Sequence, residues 1–203
     1  MVYFKQFNKN QLFILKETKR FVKKYMNNLE DVSHDYKHIK LVVKFSSKIA
    51  KKEGIKNSRD LFQIKMGALL HDIGDHKYTN ENQENVLNKF LNTFKNLGKN
   101  NKKEIIEIAS NVSLSKEDER INYKLDIVKD ADRINSLGSI GIMRYISYNI
   151  INSDKPSFDE IVNNIRDRTK RIRRYLKTSS GRKISKKHLH LISLFLNNYK
   201  DFT

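Results

Sequence analysis

Apolar residues recur at steps of three and four along almost the whole chain, the period of a helix that buries one face. Leu12, Leu15, Lys19 and Val22 mark one face of a first helix, over about 9–27. Ile39, Val42, Val43, Ser46, Ile49 and Ala50 mark a second over about 35–53, and Gly54 ends it, as glycine commonly does. Asn57 or Ser58 caps a third helix, which carries Leu61, Phe62, Ile64, Ala68 and Leu69 and breaks near Gly74. A fourth is expected over about 80–97, and a fifth over 101–111 leads into a polar loop. One long helix should run from about 123 through Ile150, with Gly138 and Gly141 serving close helix packing rather than a break. Helices near 158–177 and 183–200 finish the chain, with Thr178 to Gly181 between them. The period-two alternation of strands is missing. The pattern predicts an all-α, single-domain helical bundle of about 7–9 helices over 1–203, a chemistry-bearing core over about 30–145 and basic C-terminal helices over about 158–200.

Composition narrows the chemistry. Hydrophobic residues make up 38% of the 203, enough to fill a core. The absence of cysteine excludes disulfides, cysteine-ligated zinc and iron–sulfur clusters, and agrees with a reducing, cytoplasmic location. No run of 18 apolar residues is present and the N-terminal MVYFKQFNKNQ lacks a signal-peptide core, so no membrane partner is expected. The formal charge of +18, from 41 basic against 23 acidic side chains, admits nucleic acid or another polyanion as partner. A competing origin is codon bias, because Lys, Asn and Ile all have A/T-rich codons. The stretch from Arg166 to Lys187 holds eleven basic residues and one acid, Asp167. Such a face is usually just solvated, but it can also steer an anionic ligand inward.

Candidate chemistry lies between these elements. His38 sits in KHIKLV, His71-Asp72 closes the apolar run Met66 to Leu70, and Asp132 sits in VKDADRI. A charge at the end of a buried run is costly unless it is paired or bound to a metal. A lone histidine on an apolar face is ordinarily a hydrogen-bonded core residue. Two imidazoles and two carboxylates together suit one first-row divalent ion, with manganese, iron, cobalt or nickel favoured over magnesium. Two choices stay open on the residues alone: His34 lies one helical turn from His38, and Asp130 lies beside Asp132. Asp75 is a general base or a helix-end cap. Arg133 and Arg144 suit bidentate phosphate contacts, or internal pairing with Asp130 or Asp126. Lys77 and Lys177 are further phosphate candidates, and His188 and His190 read as structural.

The ordered blocks His34-Asp35-Tyr36-Lys37-His38, Leu69 to Asp75, Asp130 to Arg133 and Leu137 to Arg144 resemble the HD-domain metal-dependent phosphohydrolases. The likeness is to a branch of small bacterial and viral members, and the segment from Lys177 resembles that branch's late KT-xx-G segment. It covers about residues 30–195. The resemblance implies an HD-type bundle and selects His38, which precedes Val42 by four positions, and Asp132, which directly precedes Arg133. His38, His71, Asp72 and Asp132 are then the metal ligands. Asp75 and Asp130 become the catalytic carboxylates, and His34, Lys77, Arg133, Arg144 and Lys177 the substrate contacts. The implied reaction is hydrolysis of a nucleotide or similar phosphate ester, leaning to (deoxy)nucleoside triphosphates cleaved to monophosphate and pyrophosphate. Lys40 stands where the branch often has arginine, and Asn111-Val112-Ser113 where it often has histidine before the serine. Both departures bear on the substrate more than on the metal. The alternatives are an HD scaffold that binds nucleic acid or a nucleotide without turnover, and a nuclease using the same site.

Overall fold

The computed structural model describes residues 7–29, 35–75, 79–116, 122–155 and 157–201. His34 and Lys77 lie outside these. Among the described residues the secondary structure is all helical: α1 (Lys9–Asn27), α2 (Tyr36–Lys52), α3 (Ser58–Leu70), α4 (Gln83–Asn92), α5 (Lys99–Ser110), α6 (Tyr123–Asn135), α7 (Gly138–Asn152), α8 (Phe158–Tyr175) and α9 (Ser179–Lys200), with a short 3-10 turn over Leu114–Lys116.

Short polar side chains start most of these helices by accepting backbone N–H groups that the first turn leaves without partners. Asn8 accepts from the Gln11 amide in a capping box, Asn57 from Arg59, and Asn122 from Lys124 and Leu125. Asp35 caps α2 by accepting the His38 amide at 2.9 Å, which fixes the first turn of the helix that carries His38. α3 is the central helix. All of its residues from Leu61 to Leu70 except Lys65 are buried, and it packs against α1, α2, α5 and α6. The main core joins α1 to α6, while Leu137, Ile142, Ile161, Ile165, Ile172 and Ile192 form a smaller cluster among α7, α8 and α9.

The structure corrects one helix boundary with consequences for the site. The expected helix from 123 through 150 is two helices, because Gly138 adopts φ +71°. Leu137 donates back to the Ile134 carbonyl as α6 ends. Gly138 and Gly141 do serve close approach as well. A Cβ on Gly138 would lie 2.9 Å from the His188 ring, and one on Gly141 2.2 Å from the Ser136 carbonyl. The break redirects α7 so that Arg144, Tyr145 and Tyr148 line the same cavity as the end of α3. Gly138→Ala is expected to lose about 1–2 kcal/mol, the cost of a left-handed L-residue, before any shift of His188. Urea unfolding of the purified variant measures this directly. Two smaller corrections concern α4, which is shorter than expected, and α9, which begins at Ser179 because Thr178 caps it by accepting the Gly181 amide at 2.8 Å.

Candidate metal centre

α3 ends at Leu70, and the chain turns through His71, Asp72 and Ile73 to Gly74, at φ +71°. His71 and Asp72 therefore sit on a turn rather than a helix face, and both side chains can reach one point. α2 brings His38 from one side and α6 brings Asp132 from another. The His38 and His71 Nε2 atoms are 3.2 Å apart. Asp72 Oδ2 lies 3.3 Å from each of them. Asp132 Oδ1 lies 3.4 Å from His38 Nε2 and 3.8 Å from His71 Nε2. Bonds of roughly 2.1 Å meeting at octahedral or tetrahedral angles put neighbouring donor atoms roughly 3.0–3.4 Å apart. The cluster of His38, His71 and Asp132, with Asp72 beside it, is thus compatible with one divalent ion.

Surrounding groups orient these donors. His71 Nδ1 is 3.0 Å from the Ala68 carbonyl, which can only accept. The proton therefore sits on Nδ1 and the Nε2 lone pair faces the cluster. Gln83 donates to the carbonyls of His71 (2.8 Å) and Ile73 (3.2 Å), pinning the turn. The buried Asn135 amide lies 2.6 Å from His38 Nδ1 through its nitrogen. The same amide nitrogen donates to the His38 carbonyl at 3.4 Å, so Asn135 fixes the His38 ring against its own backbone. Burial lowers the His38 pKa, but hydrogen bonding and charge from Asp72, with charge from Asp132, outweigh it and hold the ring above the usual histidine range. Burial pulls the Arg144 guanidinium below its ordinary value, against Asp35, Asp132 and Asp72. Arg144 Nη1 lies 3.2 Å from His38 Nδ1, and its Nη2 lies 3.6 Å from Asp35 Oδ1.

The cluster opens into a cavity of about 460 Å³. Asp75, Lys116, Arg144, Tyr145, Arg168 and Arg171 line it together with the four donors. Of the expected site residues, the structure brings His38, His71, Asp72, Asp132, Asp75 and Arg144 together.

Three others it places elsewhere. Asp130 has no exposed surface and does not reach the cavity. It accepts from the Lys177 amide (2.8 Å), the Thr178 amide (2.7 Å) and the Thr178 hydroxyl (2.7 Å). Two residues along a helix is about 200°, so Asp130 and Asp132 point to opposite sides of α6. Burial raises the Asp130 pKa in spite of these bonds. Arg133 is buried on the Asp130 side, donating to the Tyr175 carbonyl with Asp130 Oδ1 3.8 Å away. Lys177 serves through its backbone, and its charge acts on Asp126 rather than in the cavity. The Lys177–Gly181 segment is therefore the wrapping of a buried carboxylate, and Gly181 is needed because a Cβ there would lie 2.2 Å from Asp130 Oδ2. Sequence reasoning missed Gln83, Asn135, Lys116 and the pairing of Arg168 and Arg171 with the cavity. Asn135 had a local signal, being three residues after Asp132 on the same helix.

The family model for the HD domain matches residues 35–137. Protein L803 of Acanthamoeba polyphaga mimivirus is 31% identical over 145 residues, covering 64% of this chain and 59% of that one. YpgQ of Bacillus subtilis is 32% identical over 122 residues, 57% of each. The chain thus matches less than two-thirds of the length of these two relatives. Lin1889 of Listeria innocua shares the fold at a TM-score of 0.75 and 26% identity, over 94% of this chain and 95% of that one. The structure of YpgQ in complex with ADP shares it at 0.77 and 20% identity, over 96% and 97%. Among the described residues no helix is long and apolar enough to cross a membrane.

Proposed function

The chain belongs to the HD-domain family, and from that premise we propose that it is a divalent-metal-dependent phosphohydrolase acting on a nucleotide. The observation that carries this reading is the convergence of four donor atoms from α2, the turn after α3 and α6 at one end of a cavity that also holds Lys116 and Arg144. His38, His71, Asp72 and Asp132 would hold the ion, and mixed nitrogen and oxygen donors favour manganese, iron, cobalt or nickel over magnesium. When bound, such an ion lowers the pKa of water and draws charge from a phosphoryl oxygen. Asp75, on the cavity wall beside the ligands, takes the proton from the attacking water at its carboxylate. Arg144 and Lys116 balance the charge that grows on the phosphate. Asp35 holds Arg144 in place at 3.6 Å, and the Ser110 carbonyl holds Lys116 at 2.7 Å. The ADP complex of YpgQ, a protein of the same fold, supports a nucleotide as substrate. The reaction expected is cleavage of a (deoxy)nucleoside triphosphate to monophosphate and pyrophosphate.

The test is turnover by manganese-loaded protein on a panel of nucleotides, cyclic dinucleotides and short RNA, with phosphate and pyrophosphate measured separately. Pyrophosphate release from a triphosphate is the expected result. Failure on every member, with metal bound, would overturn the reading in favour of a binding scaffold. Asn135→Ala should weaken metal affinity by about 10–100-fold, the usual cost of losing a group that orients a ligand histidine. Competition with a fluorescent chelator measures it, and unchanged affinity would remove Asn135 from the account.

A further inference from the structure

The gathered donors His38, His71, Asp72 and Asp132 line the cavity, and α8 presents Arg168 and Arg171 to the same cavity one helical turn apart. These two differ from their basic neighbours in lining the cavity. Lys170 pairs with Asp167 at 3.1 Å, and Arg166 donates to the Asn163 side chain at 2.6 Å. Among the described residues neither Arg168 nor Arg171 meets a carboxylate. Both are nonetheless held. Arg168 lies 5.6 Å from the centre of the Tyr145 ring, itself part of the cavity wall. Arg171 donates to the Leu114 carbonyl at 3.1 Å and lies 6.0 Å from the centre of the Tyr175 ring. Aromatic faces and a carbonyl fix the direction of a guanidinium without neutralising it. Two positioned forks that meet no carboxylate among the described residues, in a concave site, match the geometry of phosphate oxygens.

We infer that Arg168 and Arg171 bind the phosphate groups of the substrate that lie beyond the metal centre, and so set a preference for a phosphate chain over a single phosphate. The inference rests on the phosphohydrolase reading above. Among the described residues none of the other basic side chains between Arg166 and Lys187 lines the cavity, so the effect belongs to these two rather than to the bulk charge. A surface field would be screened over about 10 Å at 0.1 M salt, whereas a direct contact persists.

The experiment uses the full chain with Arg168→Gln, Arg171→Gln, the double variant and the two lysine replacements. Calorimetry reads affinity for inorganic triphosphate supplied with excess magnesium. Kinetics read the ratio of kcat/KM for a nucleoside triphosphate to that for p-nitrophenyl phosphate. Each glutamine should weaken triphosphate binding by about 10-fold and the pair by about 100-fold, at the low end for charge-assisted bonds. The selectivity ratio should fall in step, through KM, with the lysine variants in between. Affinity held within about twofold at 0.15 M salt, or equal losses on both substrates, would overturn the inference. If the wild-type protein turns over neither substrate, the phosphohydrolase reading fails by itself, and the calorimetric series still decides the role of the arginines.

Discussion

Asp72→Ala is expected to cost the protein its divalent ion and to lower hydrolysis by at least about 100-fold. Altering a group that only orients a ligand costs 10–100-fold in affinity or activity, and Asp72 is placed as a ligand itself. Its Oδ2 is equidistant from both histidine Nε2 atoms, at 3.3 Å. Removing it leaves two imidazoles and one carboxylate, His38, His71 and Asp132. The loss should also appear without any substrate. An ion that joins α2, the end of α3 and α6 binds the folded chain alone, so it stabilises by about 2.7 kcal/mol at a hundredfold excess over Kd. Manganese should therefore raise the Tm of the wild-type protein and leave that of Asp72→Ala where it stood. Metal content after dialysis, thermal melts and pyrophosphate release form three independent measurements. Stoichiometric manganese in the variant would remove Asp72 from the ligand set, whatever its rate.

Asp130→Ala should act in the opposite way, on stability and not on the metal. The native carboxylate satisfies two backbone amides and one hydroxyl of the α8–α9 turn and faces Arg133. Removing one member of such a buried charged set leaves its partner charge uncompensated and typically costs 3–5 kcal/mol. At about 2–4 °C per kcal/mol for a chain of this size, Tm should fall by roughly 6–20 °C. Asp130→Asn should lose less, because it keeps one acceptor oxygen, although its amide must then face a donor. Below the transition, metal affinity should stay within a few-fold of wild type, since Asp130 lies on the far side of α6 from Asp132. A variant as stable as wild type that had lost turnover would return Asp130 to the catalytic role that its sequence position suggests.

The contrast between these two aspartates shows what local pattern carries. The DADR block names both, and helical periodicity alone puts them about 200° apart. Which of the two sides faces a cavity depends on what packs there. Asp130 meets the Lys177–Thr178 backbone, 47 and 48 residues away. Arg133 repeats the lesson, since it follows the proposed ligand Asp132 in sequence but shares a face with Asp130. The expected single helix over 123–150 failed for a similar reason. A glycine in a helical pattern is compatible with packing or with a left-handed break, and at Gly138 it is both, the choice being made by His188 and the α6–α7 corner.

By itself, the sequence determined the helical class and the cap at Asn57, because periodicity and capping are properties of residue type and short spacing, while its likeness to a family picked out His38, His71, Asp72 and Asp132 as the candidate metal ligands. Only the tertiary structure decided which cations meet those donors. Lys116, Arg144 and the pair Arg168 and Arg171 come from three separate segments, the Leu114–Lys116 turn, α7 and α8, and they line one cavity beside the apolar cluster that α7, α8 and α9 bury together, with Leu114 packed against it. That packing is a long-range, collective outcome, and no short window of the chain contains it.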